Sequence, residues 1–142
     1  MNGYLLDTNC VSEVVRVKPD PRVIGWLETA DESLLYLSVL TLGEIRKGVA
    51  SLPQSKRRTS LESWLNTEMR VRFSTRILSI DAKIADRWGM LAAAAKGKGR
   101  ALSIIDGLLA ATALQHNLTV VSRNEADFAG VPVQVLNPWK SD

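Results

Sequence analysis

Apolar residues in this chain fall into short unbroken runs that alternate with longer stretches of helical spacing. The first run, Tyr4-Leu5-Leu6, leads straight into Asp7-Thr8-Asn9, and the spacing turns helical from Val11 onward. A run with no polar alternation predicts a strand buried on both faces, as in a parallel sheet. Leu34 to Val39 (LLYLSV), Arg76 to Ile80 (RILSI), Leu118 to Ser122 (LTVVS) and Val133 to Leu136 (VQVL) are the further candidate strands. Between them the spacing predicts helices over Thr8 to Arg16, from Asp20-Pro21, from Thr41 to about Leu52, from Ser55 or Thr59 to Arg72, and from Asp81 through Ala95. Asp20 and Asp81 are natural N-caps, Pro21 suits a first helical position and Pro53 stops the third helix. Glycines then break the chain at Lys96-Gly97-Lys98-Gly99-Arg100, which reads as a mobile basic loop. The last helix, Ser103 to Gln115, is apolar on most sides and therefore expected to be buried. Strands alternating with helices predict an α/β fold, a three-layer α/β/α sandwich around a mainly parallel sheet of four to five strands.

Composition narrows this without changing it. With 142 residues, 46% of them hydrophobic and 23% charged, the chain is sized and composed for one globular domain spanning 1–142. Cys10 and His116 are the only residues of their kinds, which excludes an internal disulfide, a Cys/His zinc cluster and a Ser-His hydrolase triad. Cys10 reads as a small core residue and His116 as a helix-terminal cation. No apolar run is long enough to span a membrane and the start has no signal-peptide pattern, so a cytoplasmic location is expected. The net charge of +3 is compatible with a polyanionic partner.

The acidic residues carry the chemistry. Asp7 ends the first strand, Glu44 lies in the expected first turn of the helix after the second, Asp106 in the first turn of the apolar helix, and Asn124 and Asp127 follow the fourth strand. In a parallel sheet such positions gather at one edge, where ligands of open α/β folds bind. Converging carboxylates raise one another's pKa unless a cation sits among them, and Mg²⁺ or Mn²⁺ prefers such oxygen ligands. Each position has a plainer alternative. Thr41-x-x-Glu44, Ser103-x-x-Asp106 and Asn124-x-x-Asp127 all match a capping box. Asp7 is least explained this way, since Thr8 or Asn9 could start the next helix. Positive charge recurs beside the acids at Arg46, Lys47, Lys96, Lys98, Arg100 and Arg123, a juxtaposition suited to a phosphodiester and equally to solvated loops. Trp139 is the tryptophan expected to be free to stack on a base; the others read as core.

The Leu-Leu-Asp7-Thr-Asn-Cys-Val-Ser-Glu opening, Thr-Leu-Gly-Glu44-Ile-Arg-Lys-Gly, Asp106-Gly-Leu-Leu-Ala-Ala-Thr-Ala-Leu, Val-Val-Ser-Arg-Asn124-Glu-Ala-Asp127-Phe and Leu-Asn-Pro-Trp139 stand in order along nearly the whole chain. Together they resemble PIN-domain proteins of the VapC toxin group, most of all its FitB-like branch. The resemblance implies a Mg²⁺- or Mn²⁺-dependent ribonuclease, the toxin of a bacterial type II toxin–antitoxin pair. Asp7, Glu44 and Asp106 fall on the family's metal-binding acidic positions. The fourth position falls on Asn124, with Asp127 three residues on: either Asn124 gives a neutral oxygen, or Asp127 holds a second metal or its water, or both lie outside the ligand shell. The implied mechanism is hydrolysis by metal-activated water, with Asp7 and Asp106 on the main ion and Glu44 on the water. Thr8, Asn9, Arg46, Lys98, Arg100 and Arg123 complete the expected substrate-binding set. A homodimer is implied, as is a small VapB-like antitoxin that binds operator DNA and blocks the acidic groove with a basic side chain. A phosphoacceptor receiver domain fits less well, because Asp7 has no acidic neighbour. A haloacid-dehalogenase-like phosphatase would need an acid where Asn9 stands. A PIN-like module that binds without cleaving is the remaining alternative.

Overall fold

Leu5 and Leu6 face opposite sides of strand β1 (Tyr4–Leu6), and both are almost wholly excluded from solvent. That places β1 in the middle of the sheet, as the unbroken apolar run requires. The computed structural model describes residues 2–140. Strand β1 pairs with β2 (Leu35–Ser38) on one side and with β4 (Thr119–Val121) on the other, while β3 (Ile77–Leu78) and β5 (Val135–Leu136) form the edges. The order is β3-β2-β1-β4-β5, and every pairing is parallel. The chain steps outward from β1 to β3 and then crosses back to β4, so its direction of travel reverses at the β1–β4 gap. Beyond the carboxyl ends of these two strands lies the crevice where an open α/β sheet receives a ligand.

Helices α1 (Thr8–Glu13), α2 (Pro21–Thr29), α3 (Val39–Ala50) and α4 (Lys56–Ser63) cover one face. Leu6, Cys10, Val23, Leu37, Ile45, Leu65 and Phe73 make the core beneath them. Helices α6 (Ala82–Gly97) and α7 (Ile104–His116) cover the other face, where Leu5, Leu109, Ala110, Val120 and Phe128 pack. The expected three-layer sandwich is the observed one. Among the described residues no helix is long and apolar enough to cross a membrane.

Several boundaries differ from the sequence expectation, each for a visible reason. Helix α1 ends at Glu13 rather than Arg16: the Glu13 side chain turns inward, 2% exposed, and accepts the Asp20 N–H at 2.6 Å. Helix α3 starts at Val39, because Ser38 Oγ accepts the Leu40 N–H at 3.0 Å and takes the N-cap expected of Thr41. The long helix expected to end at Arg72 widens into a π-type turn over Trp64–Met69 before α5 (Arg70–Arg72). Strand β3 is cut to two residues; the carbonyl of the preceding Arg76 still accepts the Leu37 N–H at 3.0 Å, while its guanidinium donates to the Leu35 carbonyl at 2.5 Å. The expected mobile basic loop is a closed helix terminus. Helix α6 runs on to Gly97, Gly99 adopts φ +68°, and Arg100 N–H returns to the Ala95 carbonyl at 2.8 Å.

Helices α6 and α7 approach closely at Gly107, where an added Cβ would lie 2.7 Å from the Trp88 ring. Gly107→Ala should therefore lower stability by about 1–3 kcal/mol, as overpacking does. Urea unfolding at neutral pH reads the change, and an unaltered midpoint would mean that the ring swings clear without strain.

Candidate functional site

Asp7 follows β1 directly, and its N–H extends the β1–β4 ladder by one step to the Val121 carbonyl at 2.9 Å. Its side chain is the N-cap of α1: one oxygen accepts the Thr8 N–H at 2.7 Å, and the other accepts the Ser122 hydroxyl at 2.7 Å. Asp7 itself, rather than Thr8 or Asn9, thus starts the helix. Ser122 directly follows β4 and is fully buried; its oxygen also accepts the Asn124 N–H at 3.1 Å. Burial pushes the Asp7 carboxyl up from its ordinary range, the two hydrogen bonds pull it back, and the charges of Glu44 and Asp127 push it up again.

Glu44 lies in the second turn of α3, too far along to cap it, so the capping-box alternative fails. Its Oε1 instead accepts the Thr8 hydroxyl at 2.5 Å. Asp106 is the third residue of α7, where Ser103 Oγ accepts its N–H at 3.1 Å, which is half of a capping box. Burial raises the Asp106 carboxyl, a Ser103 hydrogen bond lowers it, and the charges of Asp127 and Asp7 raise it. Asp127 stands exposed on the single turn Glu125–Phe128, and Asn124, equally exposed, makes no side-chain cap to that turn. Asp7, Glu44, Asp106 and Asp127 therefore share one electrostatic field at the carboxyl edge of β1 and β4. Asn124 is tied into it through its backbone.

Among the described residues no Lys or Arg is ion-paired to any of these acids. Nor do any three His, Cys, Asp or Glu side chains stand close enough to make a ready cage for a metal. The donor set nonetheless fits a hard divalent cation: its oxygens are carboxylate, the most buried has no cationic partner, and the edge is open.

The basic residues are placed less uniformly. Asn9 Oδ1 accepts the Arg123 N–H at 3.5 Å, and the Arg123 guanidinium lies 5.8 Å from the Trp139 ring. Trp139 is 7% exposed and belongs to the core, so it is not the free stacking surface expected. Arg46 is engaged by the Asn66 side chain, and Arg100 donates to the Ala129 carbonyl at 2.9 Å. Cys10 is buried, its thiol pushed up to about 12 by burial and by the nearby Asp7 and Glu13 charges. His116 ends α7 about 15 Å along the helix from Asp106. A groove of about 390 Å³ runs from Thr8 and Glu44 between α1, α3 and α4, lined by Val15, Ile45, Leu61 and Trp64. Ser122 and Glu13 were not singled out in the sequence. A small polar residue closing an otherwise apolar strand was the available signal for the first, and none marked the second.

The family model for the PIN domain matches residues 4–133. Toxin FitB of Neisseria gonorrhoeae is 39% identical over 95% of this chain and 97% of its own length. The VapC ribonuclease Y4jK of Sinorhizobium fredii is 35% identical over 96% and 97% respectively. The solved structure of FitAB bound to an IR36 DNA fragment superposes with a TM-score of 0.93, at 37% identity over 98% of this chain and 97% of that one.

Folding holds the Asp7 pKa above its ordinary 3.8, so between 3.8 and the raised value the folded chain binds more protons than the unfolded one. Stability then falls as pH rises through that window, and above it the ionised carboxylate works against the fold. Asp7→Asn keeps a capping oxygen and removes the charge. In EDTA at pH 7 its urea midpoint should exceed the wild type's, and the gain should disappear below pH 3.8. A lower midpoint at pH 7 would contradict this reading of the site.

Proposed function

This chain belongs to the PIN-domain family, and on that premise we propose that it is a divalent-metal-dependent endoribonuclease, the toxin of a type II toxin–antitoxin pair. The observation that carries the proposal is the meeting of Asp7, Glu44, Asp106 and Asp127 in one field at the strand crossover, with no neutralising side chain among the described residues paired to them. A fold maintained for stability alone would gain by pairing or removing such a buried charge.

Asp7 and Asp106 would hold Mg²⁺ or Mn²⁺, with Asp127 and Asn124 completing its surroundings. A bound ion supplies charge neutralisation at the phosphodiester and a water acidified enough to attack near neutral pH. The chain's own residues do the rest. Ser122 and the Thr8 N–H hold the two Asp7 oxygens in place. The Thr8 hydroxyl fixes Oε1 of Glu44, leaving Oε2 to accept the proton of the attacking water. Lys98, Arg46 and Arg123 set positive charge on the rim for flanking phosphates, with Asn9 steadying the Arg123 backbone.

The groove that opens at Glu44 suits the antitoxin. Its lining is mainly apolar, with Arg16 and Arg57 along it and Glu44 at its head, and a peptide with apolar anchors and one Lys or Arg placed at Glu44 would fill it and neutralise the carboxylate. The name of the FitB toxin, the DNA-bound state of FitAB and that of VapBC2 on a promoter fragment support a partner that carries the pair to operator DNA; a homodimer within that complex is part of the same proposal. Action on the cell's own RNA places the protein in the cytoplasm.

Purified chain freed of antitoxin should cleave RNA with Mg²⁺ or Mn²⁺ and stop with EDTA, measured by denaturing gel electrophoresis. Asp106→Ala should reduce cleavage to background while the circular dichroism spectrum is retained. Thr8→Val should lower kcat by about 10- to 100-fold, the usual effect of losing an orienting partner. Undiminished cleavage by Asp106→Ala would overturn the assignment, and RNA binding without cleavage by the wild type would identify a module that binds only.

A further inference from the structure

A second cavity, of about 500 Å³, opens beside the acidic edge and shares Asp127 with it. Its walls come from the C-terminal end of α6, the segment before α7 and the turn after Phe128, and they are apolar where Leu91, Leu102 and Val131 face it. Lys98 and Arg100 supply its positive charge. This volume is within the range of small-ligand pockets and holds one flat heterocycle with room to spare.

Arg100 is held in an unusual way. A Cβ built on Gly130 would lie 2.8 Å from Cζ, 2.8 Å from Nη1 and 3.0 Å from Nε of its guanidinium. Three nearly equal distances mean that the Gly130 backbone sits under the face of the guanidinium plane and not at its edge. Nη1 donates to the Ala129 carbonyl at 2.9 Å, which fixes the rotation of the plane, and the backbone N–H of Arg100 is fixed to Ala95. Gly130 adopts φ +79°, so glycine is needed there both for the backbone and for the space. The result is a flat cation, backed on one face by main chain, that lines a cavity of mixed apolar and charged walls next to the acidic cluster. RNA-binding proteins read unstacked bases on arginine planes of this kind.

We propose that this cavity is a nucleobase subsite: one unstacked base flanking the scissile phosphate inserts against the Arg100 plane, with Asp127 at the mouth as acceptor for an exocyclic amine and Lys98 on the adjoining phosphate. The proposal rests on the ribonuclease reading above and adds to it base selectivity and a changed role for Arg100, from phosphate contact to stacking platform. Carboxylate acceptors match the amino groups of cytosine, adenine and guanine and repel the carbonyl edge of uracil, so the inserted base is one that carries an amine.

The test uses Arg100→Lys, which keeps the charge and loses the plane, and Gly130→Ala, which displaces the guanidinium. Short oligoribonucleotides carry each of the four bases, or an abasic site, next to the mapped cleavage position. The wild type should prefer an amine-bearing base over the abasic site by on the order of tenfold in kcat/KM. Arg100→Lys should bring that ratio close to one, because cleavage of the amine-bearing substrate falls by more than cleavage of the abasic one. Binding is followed separately, in EDTA, with 2-aminopurine placed in turn at each position of the oligoribonucleotide, so that its fluorescence reports unstacking whether or not a cleavage site is known. A wild-type signal that Arg100→Lys abolishes supports the subsite even if no cleavage occurs, in which case the ribonuclease reading alone fails. Cleavage with base preference unchanged in Arg100→Lys, or a 2-aminopurine signal unchanged in it, overturns the subsite and leaves the ribonuclease reading standing. If Gly130→Ala does not fold, Arg100→Lys decides the matter by itself.

Discussion

The site is built around a buried carboxylate that the protein orients without neutralising. Asp7 has both oxygens taken up by uncharged donors, the Thr8 N–H and the Ser122 hydroxyl, and two other acids press on it. Neutral donors fix the direction of a carboxylate more than they cancel its charge. The hydrogen bond to Ser122 also joins the ends of β1 and β4, the strands between which the sheet changes direction. The same contact therefore closes the top of the crossover crevice and aims a charge into it.

The surrounding elements extend that arrangement outward. Ser38 starts α3 early enough that Glu44 falls one turn further in, opposite α1, where the Thr8 hydroxyl reaches it. Ser103 starts α7 so that Asp106 occupies its first turn, and the close approach at Gly107 locks that turn against α6. The turn after β4 brings Asp127 to the same field and also forms the mouth of the neighbouring cavity. The starts of α1 and α7 thus deliver Asp7 and Asp106 to the edge, while Glu44 comes from the second turn of α3 and Asp127 from an uncapped turn. Helix N-termini favour nearby negative charge, which offsets part of the repulsion among the acids.

Much of this was legible in the chain. A strand without polar alternation had to be central, so Asp7 at its end had to face the crevice, and Asp81 and Asp20 were readable as caps. Glu44 was harder, because Ser38 and Thr41 are both good N-caps and sequence alone does not choose between them. Choosing Thr41 made a capping box of a side chain whose partner, Thr8, lies 36 residues away. Arg100 and Trp139 illustrate a similar limit. The first reads as a free loop cation and the second as a free aromatic, yet one is fixed to the backbone at residues 129 and 130 and the other is packed in the core. Contacts made across such separations leave no local pattern, and the inward turn of Glu13 is another of them.

The central claim is that the acids at the β1–β4 edge are left uncompensated in order to receive a divalent cation. Calorimetric titration of the antitoxin-free chain with Mn²⁺, in wild type and in Asp7→Asn, tests it most directly. The account predicts a saturable binding heat in the wild type that is lost or weakened by at least about tenfold in the variant, as removal of a charged ligand requires. Identical Mn²⁺ binding in the two proteins would contradict it.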